Sequence, residues 1–388
     1  MQCTIFKLSS CTETNGMQIL SSLQSDVWHN LKEPGSYEWW YFDAVTDDDR
    51  YSVVAIWFSG FPFSPYYLQR LRAWKQNATK QDHPLPNPLE HAAFSFSLYA
   101  DGVEVLNFIK EGDATLFDAS SEKPFVRFEQ NRFVYDELRN RFVLHIEFEM
   151  PARKKRVKAE LYFTPKVELA EDLGELSSGT GEHTWILVAP SMNVNGKLDV
   201  WDGLKNEAHK IAFQGNGYHD HNFGRVPMDT DIENWYWGRA HSKKYDLVYY
   251  IISYKDESRE PFTFLYLTEN GKTIVLKNRL SITEHELEQN LISPRYGKRL
   301  TMDSDDCHFS IEHLKGLDTG PFYMRFHSRF VLNLKEERGI VMTGISEFLH
   351  PERLTSGLVQ NLVKSKVLRE GRLSVMYTLY NFFNRFLE

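Results

Sequence analysis

Between Gly215 and Gly224 the chain reads Gly-Asn-Gly-Tyr-His-Asp-His-Asn-Phe-Gly, a run of titratable and hydrogen-bonding side chains framed by glycines. No packing rule asks for that pattern. As a strand, Tyr218, Asp220 and Asn222 share one face, and His219 and His221 share the other. If the first face looks into an apolar cavity, the Asp220 carboxyl is disfavoured as an anion. It then keeps its proton and becomes a candidate acid, oriented by Tyr218. The competing reading is a polar strand end that satisfies its own backbone. His219 and His221 could also both reach Zn²⁺, with a third ligand from His183, His91 or His241. The HExxH pattern and any cysteine ligand pair are absent, so no metal is expected.

Two further segments carry chemistry. In Glu182-His183-Thr184-Trp185, alternation puts His183 and Trp185 on one face, where an imidazole and an indole can hold a carboxyl or a water beside an apolar pocket. Taken alone, His183 is an ordinary core histidine. In Asn234–His241, Trp235 and Trp237 share a face with Arg239 and His241, with Tyr236 opposite. Ring faces stabilise a nearby cation by about 0.5–2 kcal/mol each; the alternative is an aromatic β core in which Arg239 pairs with an acid. Trp39, Trp40 and Tyr41 read as core and pocket wall. Phe61–Tyr67, with Pro62 and Pro65, reads as a rigid aromatic loop at a cavity mouth, bringing Tyr66 to the ligand.

These residues need a β scaffold, and the composition supplies one. Aromatics make up 14% of the 388 residues, including 27 Phe and 19 Tyr, which favours strands over a helical bundle. The net charge of −8 gives no basic footprint for nucleic acid. Three cysteines, Cys3, Cys11 and Cys307, argue against a disulfide framework and fit a reducing compartment. No signal-peptide core and no run of about 20 apolar residues is present, so the expected location is the cytoplasm. There is no phosphate loop, GxSxG elbow or dinucleotide fingerprint.

Strand-like runs recur from Tyr37 to Glu347 with turn signals between them, including Asn195-Gly196, which reads as a hairpin turn. The length exceeds one ordinary core. The expectation is an all-β protein: a flexible tail over 1–25, β domains over 26–192 and 193–350, and a helical extension over 351–388. Glu171–Glu182 reads as a loop. In the extension, Leu354, Leu358, Leu362 and Val363, then Met376, Leu379, Tyr380, Phe383 and Leu387, recur at helical spacing. The second helix is expected to pack on a barrel, with peripheral membrane contact as the alternative.

In order and number, Tyr37–Asp43, Phe58–Tyr67, Pro88–Gly102, His183–Pro190, Gly215–Gly224, Trp235–His241 and Gly344–Leu354 resemble the carotenoid 1,2-hydratase family and its wider AttH-type relatives. The resemblance implies two lipocalin-like antiparallel β domains and a cavity for a long apolar ligand. It implies hydration of a terminal isoprenoid double bond, with no cofactor. Its His-x-Trp and Tyr-x-Asp pairs fall on His183 and Trp185, and on Tyr218 and Asp220. The candidate catalytic set is therefore Asp220, Tyr218, His183 and Trp185. The candidate substrate-binding set is Trp39, Tyr41, Tyr66, His219, Asn222, Trp235, Trp237 and Arg239. A terpenoid or polyketide cyclase, and a binding protein without turnover, are the alternatives. The expected partner is a hydrophobic small molecule.

Overall fold

Period-two alternation of large apolar residues runs through most of the chain and decides its architecture. The computed structural model describes residues 17–77, 84–166, 183–290, 292–305 and 307–387. Among these residues two curled antiparallel sheets form, one of 13 strands and one of 9. The first contains the strands from Met17–Leu20 through Glu207–Gly224, and Val367–Leu368 joins its edge. The second contains the strands from Ile232–His241 through Ile340–Leu349. The result is the all-β, lipocalin-like architecture that the motifs imply.

The sheets divide at residues 225–231, not at 192–193, because Asn195-Gly196 is not a turn. The strand His183–Asp202 runs straight through it, and the chain reverses at residues 203–206. The glycine serves close packing instead: a Cβ at Gly196 would stand 2.1 Å from the Glu160 carbonyl of the neighbouring strand. The described part of the expected tail is also structured. Met17–Leu20 pairs in parallel with His183–Ile186, burying Met17 and Ile19. Residues 1–16 and Glu171–Glu182 lie outside the described residues. Phe61–Tyr67 is not wholly a loop: Pro65–Gln76 is an α-helix, started by proline in its first turn and capped by the Ser64 hydroxyl, which accepts from the Tyr66 and Tyr67 amides. The terminal helices form at Gly357–Lys366 and Val375–Leu387. No helix among the described residues is long and apolar enough to cross a membrane.

Each sheet curls around its own core. Trp40, Phe42, Trp57 and Phe133 belong to the first; Tyr249, Leu265, Phe309 and Phe330 belong to the second. A third apolar cluster lies between the sheets and joins Tyr37, Trp39, Trp185 and Tyr218 of one to Trp235, Trp237, Tyr250 and Phe264 of the other. The terminal helix Gly357–Lys366 adds Val359 and Val363 to this cluster. The inside of each sheet is filled by side chains, and an open cavity remains where the two sheets meet.

Candidate active site between the two sheets

The Asp220 strand lies between Tyr37–Thr46 and His183–Asp202. Its alternation sends His219 into the first core, where it stacks on Phe42 with ring centres 3.7 Å apart. Tyr218, Asp220 and Asn222 face the other way, toward the second sheet. The register sets Asp220 opposite Tyr41, and Asn222 opposite both Trp39 and Trp185. Across the interface, Trp237 is aligned with Tyr250 on one side and Glu347 on the other.

Asp220 is buried and held by three neutral donors. Its Oδ2 accepts from the Trp185 indole at 2.9 Å and from the Tyr218 hydroxyl at 2.8 Å. Its Oδ1 accepts from the Asn222 amide at 3.0 Å. Burial raises its pKa from 3.8 to about 7; the Glu347 and Asp43 charges add to the rise, while the Trp185 and Tyr218 donors oppose it. The Tyr218 phenol is pushed well above its ordinary value by burial and by Asp220, so it stays a donor.

Asp220 and Asn222 line a cavity with Trp39, Tyr41, Trp235, Trp237, Tyr250 and Glu347, with about 310 Å³ of empty space that runs out to solvent. Glu347 was not found from the sequence. Its signal was a lone carboxyl in the mostly apolar run Ile345–Leu349, which must be paired if buried. In the cavity wall the Tyr41 hydroxyl lies 2.9 Å from Asp43 and 3.2 Å from Glu347, with its one proton to give to either, and it accepts from Arg325 at 2.9 Å.

The remaining candidates sit elsewhere. His183 borders an adjacent pocket with Tyr37, Pro227 and Ile252. Its ring nitrogens lie 2.9 Å from the Tyr37 hydroxyl and 3.4 Å from that of Tyr250, and burial lowers its pKa to about 3, so it is neutral. Trp185 presents its N–H to Asp220 and packs edge-on against Tyr250 and Phe264. Arg239 pairs with Asp43 across the interface. Tyr66, on the Pro65–Gln76 helix, donates to the Arg372 carbonyl at the C-terminal segment. Neither is among the residues lining the Asp220 cavity.

His219 and His221 belong to a buried clasp on the opposite face. His219 is 3.0 Å from Asp26, and His221 is 3.1 Å from Asp26 and 2.9 Å from Glu38. His29 also meets Glu38, at 2.8 Å. Flanked by two carboxylates, His221 has its pKa raised to about 9 against the cost of burial. His29, Glu38 and His221 offer ligand atoms within 4.8 Å of one another. Their contacts of 2.8–2.9 Å are hydrogen-bond lengths; ligands about 2.0–2.1 Å from a tetrahedral zinc stand roughly 3.3 Å apart. The clasp ties the segment around residues 26–29 to the sheet. His183, His91 and His241 take no part in it; His91 pairs with Glu111.

The chain matches the carotenoid hydratase CrtC family over residues 55–376. The hydroxyneurosporene dehydrogenase of Chlorobaculum tepidum is 42% identical over 377 residues, covering 96% of this chain and 97% of that protein. The acyclic carotenoid 1,2-hydratase of Thiocapsa roseopersicina is 24% identical over 349 residues, covering 87% and 74%. Among solved structures, an AttH-type protein of Nitrosomonas europaea superposes with a TM-score of 0.57 at 15% identity, over 85% of this chain and 96% of that one, which shows the shared fold. On the extent of the family match and the likeness to its Chlorobaculum relative, the chain belongs to the carotenoid hydratase CrtC family.

Proposed function

We infer that the protein is a hydratase that adds water across the terminal double bond of an acyclic isoprenoid, with Asp220 as proton donor. One observation carries this reading: a buried carboxyl poised near pH 7, bonded only by neutral donors, in a cavity walled by aromatic rings. Family membership supports hydratase-type chemistry, and relatives named as acyclic carotenoid hydratases supply the substrate class.

The hydrogen bonds favour one oxygen for the acid proton. Both acceptor directions of Oδ2 are used by Trp185 and Tyr218, so the proton sits on Oδ1. It adds to the less substituted alkene carbon, leaving a tertiary cation. Trp39, Trp235 and Trp237 surround that position, each ring face contributing about 0.5–2 kcal/mol. The low dielectric of the interface strengthens this attraction, whereas bulk water would ionise Asp220 and compete with the rings. Water then adds to the cation. His183, neutral and bonded between two phenols, braces Tyr250 and so holds one wall of the cavity. The cavity is small and opens to solvent. An isoprenoid end enters it, and the rest of the chain lies outside.

The test is mass spectrometry of lycopene incubated in H₂¹⁸O with the wild type and with Asp220→Asn. A product carrying one labelled water, formed by the wild type alone, supports the reading. An active Asp220→Asn enzyme refutes the role of Asp220. A product of unchanged mass makes the protein a cyclase, and lycopene bound and released unchanged by both proteins makes it a binding protein.

A further inference from the structure

Hydration needs a group to take the proton that the attacking water loses, and the three polar groups around Asp220 are all donors to it. His183, the other titratable candidate from the sequence, borders the adjacent pocket and spends its ring nitrogens near Tyr37 and Tyr250. The same cavity that holds Asp220 has a second carboxyl, Glu347, and it comes from the opposite sheet. We propose that Glu347 is the general base of the reaction, accepting the proton of the water as it adds to the cation that Asp220 creates. The proposal rests on the hydratase reading and adds to it the residue that makes the outcome an alcohol rather than a rearranged hydrocarbon.

Three observations carry it. First, placement: the strand Ile340–Leu349 pairs with Ile232–His241 so that Glu347 is opposite Trp237, on the cavity wall facing Asp220. A substrate end between the sheets has the acid on one side and this carboxylate on the other. Second, charge: Glu347 lies 3.3 Å from the guanidinium of Arg325, itself buried, and 3.2 Å from the Tyr41 hydroxyl, which it shares with Asp43. Asp220 has no cation among its hydrogen-bond partners. Buried carboxyls close together resist being ionised at once, and negative charge is held more readily at Glu347, beside the Arg325 guanidinium that also lies 3.8 Å from Asp43, than at Asp220. That leaves Glu347 ionised and the proton on Asp220, the arrangement an acid and a base require before turnover. Third, the charge on Glu347 is itself one of the causes that raise the Asp220 pKa, so the two groups are electrostatically coupled. The Glu347 pKa is itself raised above its ordinary value, by burial first and by the Asp43 charge, with Arg325, Tyr323 and Tyr41 opposing.

The step balances without another reactant. The Asp220 O–H bond breaks and a C–H bond forms from the alkene π pair. The water oxygen forms the C–O bond at the tertiary carbon, and one water proton passes to Glu347. The product is a tertiary alcohol. Asp220 is left as carboxylate and Glu347 as carboxylic acid, and the proton returns to Asp220 through exchanging water.

The experiment uses the full chain with lycopene in detergent micelles in D₂O. It follows two signals: alcohol formed, and deuterium appearing at the terminal vinyl carbon of recovered lycopene. The second reports reversible protonation by Asp220 alone. Glu347→Gln keeps a hydrogen-bond partner for Tyr41. It is expected to lower alcohol formation by about 100-fold or more while deuterium exchange continues. Glu347→Asp keeps the Arg325 pair but draws the carboxylate back by one methylene, and is expected to recover part of the hydration. Folding of both is checked by thermal melts. Glu347→Gln hydrating at the wild-type rate overturns the proposal. So does a folded Glu347→Gln that loses exchange along with hydration, since Glu347 would then only hold the Asp220 proton in place. If Glu347→Gln does not fold, Glu347→Asp decides: hydration at the wild-type rate overturns the role, and slowed hydration with intact exchange supports it. A wild type that neither hydrates nor exchanges refutes the hydratase reading itself, a result distinct from these.

Discussion

Asp220→Asn tests the central physical claim, that the fold keeps this carboxyl protonated, with a stability measurement independent of substrate. A rise from 3.8 to about 7 corresponds to about 4 kcal/mol of preference for the protonated form. Below pH 4 the carboxyl is protonated in the folded and unfolded chains alike and contributes nothing. Between pH 4 and 7 the unfolded chain releases the proton while the folded chain retains it, so wild-type stability falls as pH rises. Above pH 7 the full cost applies. Asparagine has no such titration. Its carbonyl can still accept from Trp185 and Tyr218, and Asn222 can turn its own carbonyl toward the new amide. The stability of Asp220→Asn relative to wild type should therefore grow by about 2.6 kcal/mol between pH 5 and pH 8, measured by urea titration of both proteins. The His221 clasp titrates identically in the two and cancels. Turnover should meanwhile drop by about 10²–10⁴. A stability difference that is the same at both pH values would mean that Asp220 is already ionised in the folded protein, and the acid role would fall with it.

Further outcomes follow from neighbouring groups. Trp185→Phe removes an N–H that favours the Asp220 anion, so the alkaline limb of the pH–rate profile should move to higher pH; a limb that stays in place would show that this bond does not set the acid. On the proposed mechanism Trp237→Leu removes a ring face that steadies the cationic transition state, so kcat should fall more than KM rises, and a change confined to KM would assign Trp237 to binding alone. His221→Gln leaves Asp26 and Glu38 buried without their shared cation and should destabilise the fold by about 3–5 kcal/mol at pH 7, read as the urea midpoint. In the wild type the raised pKa of His221 makes its contribution full below about pH 6.5 and lost through about pH 9. The lowered carboxyls Asp26 and Glu38 contribute above about pH 4 and lose that contribution on acidification. Stability from the clasp should therefore plateau between these limits, and a monotonic pH dependence in the His221→Gln-sensitive part would refute it.

Much of the site is legible in the strand pattern. Alternation alone puts Tyr218, Asp220 and Asn222 opposite His219 and His221, and Trp235 and Trp237 on one face, because side-chain direction in a strand is fixed by parity. The helix Pro65–Gln76 is hidden by the prolines and aromatics at its start, and the strands Ser281–Glu288, Tyr296–Ser304 and Cys307–Thr319 by polar residues that dilute their alternation. Asn195-Gly196 misleads because the dipeptide that favours a tight turn also permits the close backbone approach that Gly196 makes to Glu160.

The local sequence thus determined which residues share a face, and through the family motifs it determined the fold. Tertiary structure alone decided what each face meets. Asp220 and Glu347 are 127 positions apart in sequence and belong to different sheets, and nothing in the local pattern of either strand records that they line one cavity. The same holds for the clasp, where Asp26 and Glu38 close on His221 across nearly 200 residues. Parity is a property of the backbone within one strand, whereas desolvation and Coulomb coupling depend on distance in space. The burial and charges that raise the Asp220 pKa therefore arise only once the two sheets have docked.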